Sequence, residues 1–388
     1  MSSLPRPASL PAILQVVPAL DAGGVERTTL DITRALSEAG FLPLVASAGG
    51  RMEAELAAAG GELIRIQAAS KAPHTIVANA SRLMGVARAR GVKLIHARSR
   101  APAWSALIAA RRAGVPFVTT YHGIYNAGNA LKRLYNSVMV RADAVIANSE
   151  WTARHVLEEH RIDPAKLSVI PRGVDLAAFD PAGIAPDGIA ALRESWGARP
   201  GDIVVLLPGR LTRWKGQLVL IEALARLARA GSLGTVLAVI VGDAQGRGSY
   251  EAQLRNAIAA SGAAEHIALL SHTGDMPRAY LAADIVVSAS TDPEAFGRVA
   301  AEAGAMGRPV IATAHGGAHE TVVDGETGRL VAPGDAAALA GAIAALAQMD
   351  AQARAQMGAR GRMHIVSRYS LERMCADTLA LYRKLIAS

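Results

Sequence analysis

The sequence has 388 residues, 51% of them hydrophobic and 19% charged, with a single cysteine, Cys375. That length suits two globular domains, each able to bury its own core, and one cysteine excludes an intrachain disulfide framework and suits a reducing compartment. The net charge of +8 sits almost entirely in the first half: residues 1–180 carry 21 Lys and Arg against 14 Asp and Glu, the remainder 20 against 19.

In chain order, Ile13–Val17 is apolar but too short for a signal segment, and it runs into a turn at Gly23-Gly24, so it reads as a first strand. Leu42–Ala46, Leu63–Ile66, Leu94–Ala97, Phe117–Tyr121, Ala144–Ala147 and Leu167–Ile170 are further short apolar runs, with helix-length stretches such as Glu26–Ala39 and Met52–Ala59 between them. The segment from Pro171 to Asp202 is dense in Pro, Gly and Asp and reads as the interdomain connection. Strands then resume at Ile203–Leu207, Val236–Val241, Ile267–Leu270, Ile285–Val287 and Pro309–Ala312, separated by helices such as Gln217–Ala230 and Tyr250–Ala260. Unalternated apolar runs between helices mean strands buried on both faces, hence parallel sheets flanked by helices. Two such arrays in tandem predict two doubly wound α/β domains. Ala336–Met349 is shorter than the ~20 apolar residues a bilayer requires and reads as an ordinary helix. After Ser370, a suitable N-cap, Leu371, Met374, Cys375, Thr378, Leu379, Tyr382 and Leu385 form one apolar helical stripe, in which Cys375 reads as a small core residue.

Three loops carry chemistry. Glu294-Ala-Phe-Gly-Arg-Val-Ala-Ala-Glu302 places one acid in the loop after a strand and a second within the helix that Phe296-Gly297 opens. A helix N-terminus receives diphosphate well; Glu302 can accept from a ribose diol and Glu294 from sugar hydroxyls, although an ordinary amphipathic helix can also carry two such acids. Pro208-Gly209-Arg210 to Lys215-Gly216 follows Ile203–Leu207 directly, and two cations at a parallel strand's carboxyl end can neutralise a diphosphate, Arg210 as a fork and Lys215 as a point charge. Asp21-Ala-Gly23-Gly24-Val-Glu26 opens a long helix, as a tight turn or as a close backbone approach to a ligand. His122 ends another strand, either as a satisfied interior histidine or as a site residue. His315-Gly-Gly-Ala-His319-Glu320 reads as a Gly-rich loop beside the pocket rather than a metal site. No zinc, nucleophile-elbow or phosphate-loop motif occurs, and no Asp-x-Asp. Basic residues lack the interleaved aromatics of a nucleic-acid surface.

Together these segments resemble glycosyltransferase family 4. The likeness runs through Gly23-Gly24-Val25-Glu26, Tyr121-His122-Gly123, Ala147-Asn-Ser-Glu150, Ile170-Pro-Arg-Gly-Val-Asp175, Gly209-Arg210-Leu211 with Lys215-Gly216, Glu294 to Glu302, Gly316-Gly317 with Glu320, and Asp324 to Asp335. Arg172 stands where many members carry Asn. The resemblance implies the GT-B fold: two Rossmann-like domains facing a cleft, 1–178 on the acceptor side and 179–369 on the donor side, with a terminal helix, 370–388, crossing back to the first. It implies a nucleotide-diphosphate sugar donor, UDP- or GDP-linked, bound by Arg210 and Lys215 at the diphosphate, by Phe296, Gly297 and Arg298 near phosphates and sugar, by Glu294 at the sugar and by Glu302 at the ribose, with Gly23 and Gly24 adjoining. On this reading His122 is expected to orient the sugar rather than act as the base. It also implies retention of anomeric configuration without a metal, in keeping with the missing Asp-x-Asp.

The expected activity is transfer of a hexosyl group to a glycan, glycolipid or lipopolysaccharide-type acceptor by same-face displacement, with no cofactor. The rivals are a GT-B-like nucleotide-sugar epimerase or hydrolase and a non-catalytic nucleotide-sugar-binding subunit. A cytoplasmic location is expected. Contact with the anionic inner face of a membrane through the basic first half, with Arg98, Arg100, Arg111 and Arg112 as contributors, competes with a plain Arg bias of composition. The loop Ile124–Leu134 belongs to the acceptor side.

Overall fold

The computed structural model describes residues 10–21, 23–123, 125, 128–244, 246, 248–271 and 273–388. The chain divides into two compact units, Met1–Pro171 with Leu371–Ser388, and Arg172–Ser370.

The first unit is built on seven strands: β1 Ala12–Val16, β2 Leu42–Ser47, β3 Glu62–Arg65, β4 Val92–Ala97, β5 Phe117–Tyr121, β6 Ala144–Ala147 and β7 Leu167–Val169. They lie in the order β3-β2-β1-β4-β5-β6-β7, every pair parallel. The second holds β8 Ile203–Pro208, β9 Val236–Val241, β10 Ile267–Leu270, β11 Ile285–Ser288, β12 Val310–Thr313 and β13 Gly328–Val331, in the parallel order β10-β9-β8-β11-β12-β13. These are the two doubly wound parallel sheets that the apolar runs predict.

Both sheets are buried on both faces. In β8 alternate residues point to opposite sides: Val205 and Leu207 pack with Leu220, Leu224 and Ile343, Val204 and Leu206 with Val239, Tyr280 and Val286. In each sheet the strand order reverses beside the first strand, between β1 and β4 and between β8 and β11. There the connections leave to opposite faces, and a crevice opens at the strands' carboxyl ends.

The terminal helix Leu371–Ala387 belongs to the first unit, where Met374, Cys375, Leu379 and Tyr382 pack against Ile13, Ile32, Leu36 and Leu94. Burial pushes the Cys375 thiol up to about 12, the behaviour of an inert core residue. The helix Ala336–Gln348 buries Leu339, Ile343 and Leu346 against the second sheet. Among the described residues no helix is long and apolar enough to cross a membrane.

Two features differ from the sequence reading. The strand β13 was not expected, because Gly328-Arg-Leu-Val begins with a weak strand former and exposes Arg329. Gly328 is needed there: a Cβ would lie 2.0 Å from the Val310 carbonyl oxygen. Arg98 is not a surface cation. It is 2% exposed and its Nε donates to the Gln15 Oε1 at 2.8 Å, so it drops out of the basic face. Arg100 lies over the Tyr125 ring at 4.0 Å and donates to Asn136, while Arg111 pairs with Asp143 and Arg112 is exposed.

Candidate active site

The crevice of the second unit is walled by the loop after β8 and the loop after β11. The first runs through Gly209 and Arg210 into a single 3-10 turn, Arg213–Lys215, and ends at Gly216. Gly216 is left-handed (φ +76°), and a Cβ there would lie 1.8 Å from the Ala289 carbonyl oxygen. The Thr291 N–H donates to the Trp214 carbonyl at 2.7 Å. The two loops are therefore laced backbone to backbone, a close approach that only glycine permits.

That lacing brings Lys215 to Glu294. The Lys215 Nζ donates to Glu294 Oε1 at 2.8 Å, with side chains only 13% and 16% exposed. The Ser290 hydroxyl donates to the same oxygen. Burial by itself raises the Glu294 carboxyl; the Lys215 charge and hydrogen bond, Ser290 and the charge of His315 outweigh it and hold the group below its ordinary value. Lys215 also lies over the Trp214 ring, 4.5 Å from its centroid. Arg210 opens the same loop, is exposed, and its guanidinium has no ion-pair partner among the described residues.

The chain then enters the helix Arg298–Ala305 through Gly297, left-handed at φ +82°. Phe296 is buried and meets Tyr369 edge-on, ring centroids 5.5 Å apart, which pins the loop from behind. Glu302 lies on the next turn, nearly buried. Its Oε1 accepts from Arg298 Nη2 at 2.6 Å and Nε at 3.0 Å, and its Oε2 accepts from the Tyr280 hydroxyl at 3.0 Å. Burial, then Glu302, then more weakly Glu294, push the Tyr280 phenol well above its ordinary value, so both carboxylates bear on one ring.

The loop after β12 closes the arrangement. Gly317 N–H donates to the Glu294 carbonyl at 2.8 Å. A Cβ on Gly316 would lie 2.2 Å from that carbonyl oxygen, and one on Gly317 2.6 Å from Phe296 Cα. Among the described residues no three His, Cys, Asp or Glu side chains gather to hold a metal ion.

Lys215, Glu294, Phe296, Gly297, Arg298 and Glu302 are thus brought together in one unit, with Arg210 at the head of the same loop. His122, Gly23 and Gly24 lie in the other. His122 follows β5, near His96; His96 is fully buried, with Nε2 2.7 Å from the Thr120 hydroxyl and Nδ1 bonded to the Tyr382 hydroxyl. Gly23 precedes the helix Gly24–Glu38, while Ala22 lies outside the described residues. So do Ile124, Asn126 and Ala127 of the acceptor-side loop. The sequence reading missed Ser290, Tyr280 and Trp214. Ser290 and Trp214 flank named residues and were open to inference from strand-end position alone; Tyr280, 22 residues before Glu302, carries no local signal.

Fold and site together define a pair of doubly wound α/β units, the second with a charged, glycine-laced loop cluster at the carboxyl ends of its strands. Residues 189–364 match the family model "Glycosyl transferases group 1" and residues 22–178 the model "Glycosyltransferase Family 4". A solved glycosyltransferase from Rickettsia africae is 35% identical, with a TM-score of 0.89 over 97% of this chain and 99% of that one. Anabaena Alr3699/HepE, solved with UDP and glucose, is 26% identical with a TM-score of 0.83, covering 96% and 100%. Proteins named D-inositol 3-phosphate glycosyltransferase are similar in sequence: 32% identity in Segniliparus rotundus, over 70% of this chain and 62% of that protein, and 33% in Salinispora tropica, over 78% and 67%. The chain thus spans about two thirds or less of the length of these relatives. The chain belongs to the family 4 glycosyltransferases, with the GT-B type of fold.

Proposed function

We propose that the chain transfers a hexosyl group from a nucleotide-diphosphate sugar to an acceptor hydroxyl with retention of configuration. The observation that carries this is the buried Lys215–Glu294 pair at the β8/β11 switch point, with Arg210 exposed in the same loop. An ammonium has three N–H groups. One serves Glu294, and two are left for a diphosphate. Arg210 adds a planar fork. Glu294, kept ionised, accepts from sugar hydroxyls; Glu302 accepts from the ribose; Phe296, Gly297 and Arg298 present the helix N-terminus to the phosphates. The relative solved with UDP and glucose supports a donor of this class.

In the proposed step the C1–O bond to the diphosphate breaks while Arg210 and Lys215 offset the charge developing on the leaving oxygen. The acceptor oxygen bonds to C1 from the same face, and its proton passes to the leaving phosphate oxygen. These two cations supply the positive charge, so we assign no metal and no cofactor. For the first unit we propose acceptor binding, with His122 orienting the sugar and Gly23-Gly24 adjoining it. The glycan, glycolipid or lipopolysaccharide-type acceptor expected from sequence stands beside a phosphorylated polyol, which the names of the relatives favour. A cytoplasmic location rests on the single cysteine and peripheral membrane contact on the basic first half, and cosedimentation with anionic vesicles at low and high salt tests the contact.

The deciding experiment has two stages. Thermal shift against UDP, GDP and their sugar conjugates finds the donor, since a ligand bound only by the folded state raises apparent stability. Turnover of Arg210→Ala with that donor, against acceptors that include D-inositol 3-phosphate and lipid-linked glycans, then tests the assignment. A loss of about 100-fold or more in kcat is expected; near-normal turnover would refute it. Rapid donor consumption without any acceptor would favour the epimerase or hydrolase reading instead.

A further inference from the structure

His315 follows β12, directly before Gly316-Gly317. Its backbone N–H donates to the Thr313 carbonyl at 2.8 Å. Both ring nitrogens are shielded from solvent and have no hydrogen-bond partner among the described residues. A half-buried imidazole whose nitrogens are shielded and left without partners is costly, and such a group in a native fold calls for an explanation. The ring cannot swing to find one by moving its loop: Gly316 and Gly317 are pressed against the Glu294–Phe296 backbone too closely for even a Cβ. His315 acts electrostatically on the Glu294 carboxyl, favouring its ionised form, yet no hydrogen bond joins the two.

We propose that His315 reads the transferred sugar: one sugar hydroxyl sits between Glu294 and His315, giving its proton to the carboxylate and pairing its oxygen with the ring. This rests on the second unit being the donor pocket. The chemistry selects a hydroxyl over a phosphate. Glu294 is held ionised and can only accept, so a group it shares with His315 must donate, and an ionised phosphate oxygen has no proton to give. The diphosphate has its own cations, exposed Arg210 and the two Lys215 N–H groups that Glu294 does not use. His315 thereby sets which sugar is accepted rather than how tightly the nucleotide binds. A site built to pair a hydroxyl rejects the analogue that lacks it.

Calorimetric titration of wild type, His315→Leu, His315→Asn and Glu294→Gln with UDP, GDP, UDP-glucose and GDP-mannose tests this, with monodeoxy analogues of whichever sugar nucleotide binds. His315→Leu should weaken the sugar nucleotide about tenfold and leave the free nucleotide within about twofold. One monodeoxy donor should bind wild type about tenfold more weakly than its parent, and in His315→Leu that penalty should shrink to about threefold, because only the hydroxyl's bond to Glu294 is then left to lose. His315→Asn, which keeps a donor and an acceptor, should retain part of the discrimination, and it decides the matter if the Leu variant fails to fold. Equal weakening of sugar nucleotide and free nucleotide would overturn the proposal in favour of a phosphate or packing role, as would no change in either. If Glu294→Gln weakens the sugar nucleotide while both His315 variants match wild type, the inference alone fails. If no probe binds wild type, or Glu294→Gln changes nothing, the donor-pocket reading fails with it.

Discussion

Removing Lys215 should reverse how the second unit responds to acid. At 2.8 Å and an effective dielectric constant near 20, the gross attraction in the Lys215–Glu294 pair is about 6 kcal/mol. Much of it offsets desolvation, but with both side chains under one fifth exposed, deleting one partner strands the other. Lys215→Met should therefore cost about 3–5 kcal/mol at pH 7, and Lys215→Met with Glu294→Gln should recover most of that. In the wild type Glu294 is held below its ordinary 4.5, so its stabilising contribution is complete above pH 4.5 and is lost as pH falls through the lower folded value. In Lys215→Met, burial dominates and the folded value rises above 4.5. The variant's deficit then appears as pH rises through that window and shrinks on acidification. Urea unfolding at pH 5, 6 and 7, followed on the transition that the substitution moves because two units can unfold separately, reads this directly. A deficit below about 1 kcal/mol, or one that does not shrink toward pH 5, would refute the reasoning.

Gly316→Ala should destabilise by about 2–4 kcal/mol, because the position is left-handed (φ +63°) and the new methyl meets the Glu294 carbonyl oxygen at 2.2 Å; thermal unfolding, with sugar-nucleotide affinity falling in parallel, checks it. Cys375, its thiol raised to about 12, should resist alkylation at pH 8 in the native protein and react on unfolding, as a timed thiol titration would record. Burial first, then Arg98 and His122, hold His96 well below its ordinary 6.5. The unfolded chain then binds a proton that the folded chain does not, so stability should decline as pH drops below about 6.5; His96→Gln should flatten that limb of the pH–stability curve.

The parallel sheets were legible because burial on both faces leaves its mark on each strand separately: β9, Val-Leu-Ala-Val-Ile-Val, is apolar throughout and buried throughout. β13 was not legible, since an edge strand of Gly-Arg-Leu-Val is specified by its neighbour's carbonyl, not by its own pattern. The same division runs through the site. Arg210, Lys215, Glu294 and Glu302 could be picked out because loops at the carboxyl ends of parallel strands are where charge has a use. Their partners could not. That Lys215 grips Glu294, 79 positions away, and that Tyr280 serves Glu302 depend on strand order, which no local spacing encodes. Arg98 shows the converse error: a basic residue in a basic half looks exposed until its strand end carries it against Gln15.

The close glycine contacts give the pocket its mechanical character. Gly216 against Ala289, Thr291 N–H on Trp214, and Gly316-Gly317 against Glu294 and Phe296 tie the loops after β8, β11 and β12 into one block. Loops ordered by their own backbone contacts need little further ordering when a ligand arrives, so more of the binding energy is available for discrimination and for charge developing late in the reaction. The Lys215–Glu294 bond adds a second consequence. The cation assigned to the diphosphate and the carboxylate assigned to the sugar are one hydrogen-bonded unit, so a change at either end reaches the other. Substitutions at Lys215 should therefore alter sugar selectivity as well as nucleotide affinity, whereas substitutions at the exposed Arg210 should alter turnover and leave selectivity alone. Kinetic comparison of the two variants across UDP-glucose and GDP-mannose separates the cases, and equal selectivity in both would mean that the pair is a structural clasp rather than a shared recognition element.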